Sequence, residues 1–354
     1  MNFASDNVVG VHPRIMDAIA AANTGAQASY GADDHTARGV AELARVFDTD
    51  LHAYLVLTGT AANSLCLSTM TPPFGAVLCH AEAHIMVDEC GAPELFTGGA
   101  KLMGLHEPGG KITPAGVQRC LDGFIRGEHD PRPAALSITQ ASELGTIYSL
   151  QEIRDLADLV HSNGMRLHMD GARFANALVA LDCTPAQMTW QAGVDALSFG
   201  GTKNGAMALE VVMLFTSELA DGFDHRRMRA AQLLSKGRYL GAQLEAYLAQ
   251  DLWLDTARHA NAMARKLAEG LAAIPHIAMP LPTQANEVFP VMPQALFDHL
   301  QAAGAEFFEW PGEGPGEEPL ERNDVLARFV CAFTTTPQDV EAMLAAISDW
   351  ESVG

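Results

Sequence analysis

Short apolar runs of four to eight residues recur through the first two thirds of the chain, and each ends in a polar or glycine-rich turn. Tyr54-Leu55-Val56-Leu57 stops at Thr58-Gly59-Thr60-Ala61-Ala62-Asn63, and Ala76-Val77-Leu78-Cys79 leads into a loop with His80, His84, Asp88 and Glu89. Ala134 to Ile138 forms a third run. Met165 to Met169 closes on Asp170, and the apolar stretch Ala196-Leu197-Ser198-Phe199 closes on Gly200-Gly201-Thr202-Lys203. Ala208 to Phe215 is the sixth. Helical patterns stand between them, one capped by Ser149; His12-Pro13 opens an earlier helix, and another runs through Phe47. Such alternation predicts a mostly parallel sheet covered on both faces, with ligands gathered where strands end in loops.

Residues 218–249 predict one long helix or a broken pair. Beyond Asp251 the pattern restarts as helix, short strands and Pro/Gly loops, which suggests a smaller C-terminal α+β domain (251–354) after a large domain with an N-terminal arm (1–250). Its most irregular part is the acidic loop from Glu309 to Glu318, leading into the strand Leu326–Cys331. Arg328 sits inside that apolar strand, where a charge is costly unless an anion pairs with it.

Composition narrows the function. The chain has 354 residues, 48% hydrophobic and 18% charged, which suits a globular enzyme of two domains. A net charge of −21 opposes nucleic acid and anionic membrane surfaces. Six cysteines are scattered without C-x-x-C spacing, so a reduced, cytoplasmic, soluble protein with buried thiols and no metal centre is expected.

Lysine is scarce, and Lys203 alone follows a buried-looking strand. Desolvation there favours a nucleophilic amine, as in a Schiff base with pyridoxal phosphate (PLP); a surface turn is the alternative. Asp170 at a strand end can pair with a pyridinium nitrogen, or simply cap a helix. The small residues Gly59-Thr60-Ala61 at a helix start can admit a phosphate. His84 can stack on a ring or carry a proton near neutral pH. A basic cluster, Arg226, Arg227, Arg229, Lys236 and Arg238, suits an anion or an acidic partner surface.

In order and spacing these features resemble the L-threonine aldolase family of fold-type-I PLP enzymes, from Ser5 to about residue 345. Most telling are His168-Met169-Asp170-Gly171-Ala172-Arg173 and Ser198-Phe199-Gly200-Gly201-Thr202-Lys203-Asn204-Gly205, supported by Thr58–Asn63, Ala83-His84, Asp88–Glu94 and Tyr30-Gly31. Ser137–Gly145 and Thr-Lys-Asn-Gly look closest to the low-specificity and phenylserine aldolase branch. The resemblance implies the PLP-dependent transferase fold, with a large mostly parallel-sheet domain. It implies that Lys203 holds PLP, Asp170 pairs with its ring nitrogen, His84 stacks on the ring, and Gly59 and Thr60 bind the phosphate. Arg238 would reach a phosphate across a subunit interface of a homodimer or homotetramer. Ser5, Arg173 and Arg328 would grip the substrate carboxylate, Tyr30 would belong to the substrate site, and His129 would lie near the β-hydroxyl. The implied reaction is retro-aldol cleavage to glycine and an aldehyde. Another PLP reaction on this fold, β-elimination or transamination, is the first rival; a non-catalytic PLP-binding paralogue is the second. Two departures stand out: Thr139-Gln140 replaces a Glu-Asn-rich loop, and Cys331-Ala332 replaces a Thr-His pair.

Overall fold

The computed structural model describes residues 1–311, 320 and 323–353. Among these, seven strands form the large sheet: β1 His52–Val56, β2 Gly75–His80, β3 Lys101–Leu105, β4 Arg132–Thr139, β5 Arg166–Gly171, β6 Ala196–Gly200 and β7 Glu210–Leu214. Their order is β1-β7-β6-β5-β4-β2-β3. β2, β3, β4, β5 and β6 run parallel, and β7 alone is reversed, pairing antiparallel with both β1 and β6. The reversal follows from a short connection: only residues 201–209 separate β6 from β7, too few for a parallel crossover.

β2, β6 and β7 are buried at every position, as near-continuous apolar runs in a doubly covered sheet should be. β3 escaped the sequence pattern. Its residues Lys101-Leu102-Met103-Gly104-Leu105 hold no β-branched side chain, and it lies at the sheet edge. The helix after β4, Leu150–Ser162, begins with a full capping box between Ser149 and Glu152. The expected helix over 218–249 is broken into Ser217–Ala220, Phe223–Arg229 and Arg238–Leu248. Left-handed backbone at Gly222 and Ala231 interrupts it.

A second sheet consists of β8 Glu287–Val288, β9 Val291–Pro293, β10 Phe308–Glu309 and the central β11 Asp324–Val330. The acidic loop expected at 309–318 lies outside the described residues from 312 onward. The proposed division at 250/251 falls just before the helix Leu252–Ala272, which belongs to both cores. Its Trp253 and Ala257 pack with the large sheet's core, and its Ala264, Leu267 and Leu271 pack beside β11. The N-terminal arm also ties the units together: Phe3 is buried in the second core, and its N–H and C=O bond to Glu306 and Val330. Of the cysteines, Cys66, Cys79 and Cys331 are buried as expected, but Cys90 is exposed. No described helix is long and apolar enough to cross a membrane.

Candidate active site

A cavity of about 400 Å³ opens at the carboxyl ends of the parallel strands. β1 leads to its residues Leu57, Thr58, Gly59 and Thr60, β4 to Thr139, Ala141 and Glu143, β5 to Asp170 and Arg173, and β6 to Thr202 and Lys203. Because β7 is reversed, its first residue, Glu210, reaches the same edge. The N-terminal arm adds Ser5 and Asn7, and the C-terminal unit adds Glu287, Trp310 and Arg328.

Lys203 stands on a single helical turn, Thr202–Asn204, directly after β6. Two glycines permit the close approach that places it there. A Cβ at Gly200 would meet the Ala172 carbonyl oxygen at 2.6 Å, and one at Gly201 would meet that of Leu209 at 2.9 Å. Asn204 pins the turn by donating to Tyr247 Oη (2.9 Å) and the Trp253 carbonyl (2.8 Å). Lys203 is half-buried, and its charge acts on Asp6, His84, Glu210 and Glu287.

One wall is a hydrogen-bonded relay. Asp170 is 4% exposed; its Oδ2 accepts from Asn63 Nδ2 (2.7 Å) and its Oδ1 from the Ala172 N–H (3.0 Å). Asn63 Nδ2 also donates to Glu89 Oε1 (2.9 Å), which accepts in turn from His84 Nδ1 (2.8 Å). That bond to Glu89 raises the basicity of His84 against the opposing effect of burial. With Nδ1 occupied as donor, Nε2 is the nitrogen available for proton exchange. Beneath Asp170, His168 lies between Ser137 and Ser198, and burial pushes it down to about 4, so it is a neutral structural group. The helix Gly59–Met70 begins at the cavity. Its Thr58 cap takes the N–H groups of Ala61 and Ala62, leaving those of Gly59 and Thr60 without a protein acceptor among the described residues.

The opposite wall carries charge. Arg173 donates to both oxygens of Asp6 (2.8 and 3.0 Å) and lies 3.4 Å from Glu287. Burial works against its charge, but Asp6 and Glu287 outweigh it and hold Arg173 cationic. Burial would raise Asp6 too, yet Arg173 and Lys203 hold it below the usual carboxylate range. Arg328 is half-buried, lies 4.9 Å from the Trp310 ring centre and donates to the Ala4 carbonyl (3.4 Å), while its Nε is buried without a partner. Ser5 lines the cavity beside them; its hydroxyl accepts from the Asn7 N–H (3.1 Å).

The structure thus gathers Ser5, Gly59, Thr60, His84, Asp170, Arg173, Lys203 and Arg328. It does not bring in three other residues expected at the site. His129 is exposed on the turn before β4, at the end of that strand remote from Thr139, about 25 Å away at 3.3 Å per residue. Within one chain it therefore stands away from the cavity, and the expected position near the β-hydroxyl is not met by this chain's own lining. Tyr30 is 54% exposed and outside the cavity lining. Arg238 is also outside, donating to the carbonyls of Ala22, Thr24 and Gly25. The rest of the basic cluster, including Arg226, Arg227 and Arg229 on their own helix, stands apart as well.

Sequence reasoning missed Asp6, Asn63, Glu143, Glu210 and Glu287 as members of the site. Glu143 restores a carboxylate next to Thr139, where the family loop was absent: it accepts from Thr139 Oγ1 (2.9 Å) and the His84 N–H (2.8 Å), and burial pushes it up to about 7. Glu210 carried the signal already used for Arg328, a lone charge inside an apolar run, Ala208 to Phe215; Glu287, at the start of a two-residue strand after Asn286, carried none.

A parallel α/β sheet with a lysine turn, a buried strand-end aspartate and an arginine pair in one cleft defines a fold-type-I PLP-type enzyme. The beta-eliminating lyase family model matches residues 2–294, and the chain belongs to that family. It is 40% identical over 343 residues to the low specificity L-threonine aldolase of Pseudomonas aeruginosa, covering 96% of this chain and 95% of that protein. The threonine aldolase structure from Leishmania major superposes with a TM-score of 0.91 at 28% identity, covering 99% of both chains. A Sphingomonas wittichii serine palmitoyltransferase (14% identity, TM-score 0.73, covering 100% of this chain and 87% of that one) shares the fold.

Proposed function

We propose that this enzyme is a PLP-dependent aldolase cleaving β-hydroxy-α-amino acids of the L-threonine, L-allo-threonine and L-phenylserine type to glycine and an aldehyde. The observation that carries this reading is the convergence of Lys203, Asp170 and His84 with Arg173 and Arg328 in one cavity.

The residues fit the cofactor. The buried Asp170 carboxylate suits a protonated ring nitrogen, the uncommitted N–H groups of Gly59 and Thr60 suit a phosphate, and Lys203 is the covalent anchor. Bound there, PLP would supply an electron sink for the bond pair released at the substrate Cα. The protein's own residues do the rest. Arg173 and Arg328, with Ser5, hold the α-carboxylate and so orient the Cα–Cβ bond. His84 Nε2, made more basic through Glu89, removes the β-hydroxyl proton, a role typically worth ~10²–10⁴-fold. The resemblance supports a homodimer or homotetramer in which Tyr30 and Arg238 complete the site of a second chain. The free cysteines are in keeping with a cytoplasmic enzyme.

Purified protein incubated with the three amino acids should release glycine and the matching aldehyde in equal amounts. Lys203→Ala should lose turnover and the cofactor's long-wavelength absorbance while remaining folded. Ammonia with the 2-oxo acid that keeps the substrate's whole carbon chain (2-oxobutanoate from the threonines, phenylpyruvate from phenylserine), in place of glycine, would move the assignment to β-elimination.

A further inference from the structure

Glu210 is a buried carboxyl placed where an anion is expected, and the proposed mechanism gives it no task. Its backbone pairs with Val56 on one side, three residues before Gly59, and with Gly200 on the other, three residues before Lys203. The side chain lines the cavity together with Thr58, Gly59, Thr60, Thr202 and Lys203, and Oε1 takes the Thr202 N–H only at a long 3.4 Å. The ionisable groups around it are Lys203 on the preceding turn, Asp170 at the end of β5 and the Tyr247 phenol on the helix Arg238–Leu248. Only Lys203 among them offers positive charge.

We propose that Glu210 is the proton acceptor that couples cofactor loading to pH: its carboxyl takes up one proton from solvent when a phosphate group settles at Gly59 and Thr60. A phosphate monoester carries close to two negative charges at neutral pH, and an ionised carboxylate on the same wall opposes it. Protonated, Glu210 ceases to repel the phosphate and can donate to it. Burial already pushes its carboxyl up to about 7, against the lowering influence of Thr202 and Lys203, so the proton moves within the working pH range.

This inference rests on the PLP reading, and the experiment separates the two. PLP affinity is measured by absorbance titration of apoprotein from pH 6 to 9 for wild type and Glu210→Gln. Taking the ratio of the two dissociation constants cancels the ionisation of PLP itself, which both proteins meet alike. The ratio should be flat at the acid end and rise, against the wild type, about tenfold per pH unit above 7. A constant ratio across the range, or loss of PLP binding in Glu210→Gln alone, overturns the role of Glu210, while failure of the wild type to bind PLP overturns the cofactor reading. Should Glu210→Gln not fold, infrared difference spectra of wild type with ¹³C-labelled glutamate decide the matter. Loading at pH 8 should produce a neutral carboxyl band, and its absence rejects the proposal.

Discussion

The two walls of the cavity are built on different principles. The Asp170 wall is a relay in which one amide, Asn63, serves both Asp170 and Glu89, and Glu89 serves His84, at 2.7–2.9 Å throughout. Its members come from strand ends and helix starts of the large sheet. The Arg173 wall joins the N-terminal arm, β8 and β11, with Asn286 reaching Asp6 across 280 residues of sequence. There two arginines face two buried carboxylates, and Glu287 and Arg328 Nε keep buried atoms without hydrogen-bond partners. The relay keeps two such atoms as well, Asn63 Oδ1 and Glu89 Oε2, but its side chains are tied one to the next by short hydrogen bonds. The Arg173 wall is held mainly by charge, and a substrate carboxylate can, under the proposed function, enter it by exchanging partners. Under that function, rigid placement of a cofactor and exchangeable binding of a substrate call for this difference.

Removing one charge from each wall should separate them most clearly. Arg173→Ala leaves Asp6 and Glu287 buried without their cation and should cost about 3–5 kcal/mol of stability as well as activity. Asp170→Asn keeps its shape and one of its two accepted hydrogen bonds, so it should lose most turnover with a smaller drop in melting temperature than Arg173→Ala. Thermal melts beside steady-state rates test the pair; equal destabilisation by both would erase the distinction between the walls.

A smaller effect sharpens the relay. Glu89→Gln withdraws the carboxylate that makes His84 more basic. The acid limb of the pH profile of kcat/KM should therefore move to lower pH, with a rate loss of up to about 10². An unmoved limb would assign that ionisation to another group.

The smallest effect concerns Glu143, which touches the relay through the His84 N–H. Its folded-state value of about 7 lies above the unfolded one of 4.5, so between these the folded chain holds more protons than the unfolded chain. Its contribution is present below pH 4.5 and lost as pH rises through 7. Melting temperatures of apoprotein should fall across this window, and the fall should be shallower in Glu143→Gln. An identical slope in the variant would show that Glu143 does not titrate there.

The turns that carry Asp170, Lys203 and Gly59 were legible in the chain because their chemistry is local, whereas the Asn63 link to Asp170, 107 residues away in sequence, was not. A strand that ends in Asp170, a glycine pair before Lys203 and small residues at Gly59 each announce a turn at a strand end, and parallel alternation brings such ends to one edge. Arg328 was legible for another reason, as a charge where an apolar strand admits none. Glu210 carried the same mark, yet its place depended on the reversal of β7, which turns a strand's first residue toward the cavity. Asp6, Glu287 and Trp310 became neighbours of Arg173 and Arg328 only when the arm and the second sheet closed over the first. His129, expected near the β-hydroxyl from its resemblance to a family histidine, precedes β4, and in a single chain the direction of that strand carries it to the far edge. Periodicity and turn chemistry act over a few residues and can be read in order along the chain. Which charges meet across hundreds of residues is decided by packing, because burial of each ion must be offset by a partner that only the closed fold supplies.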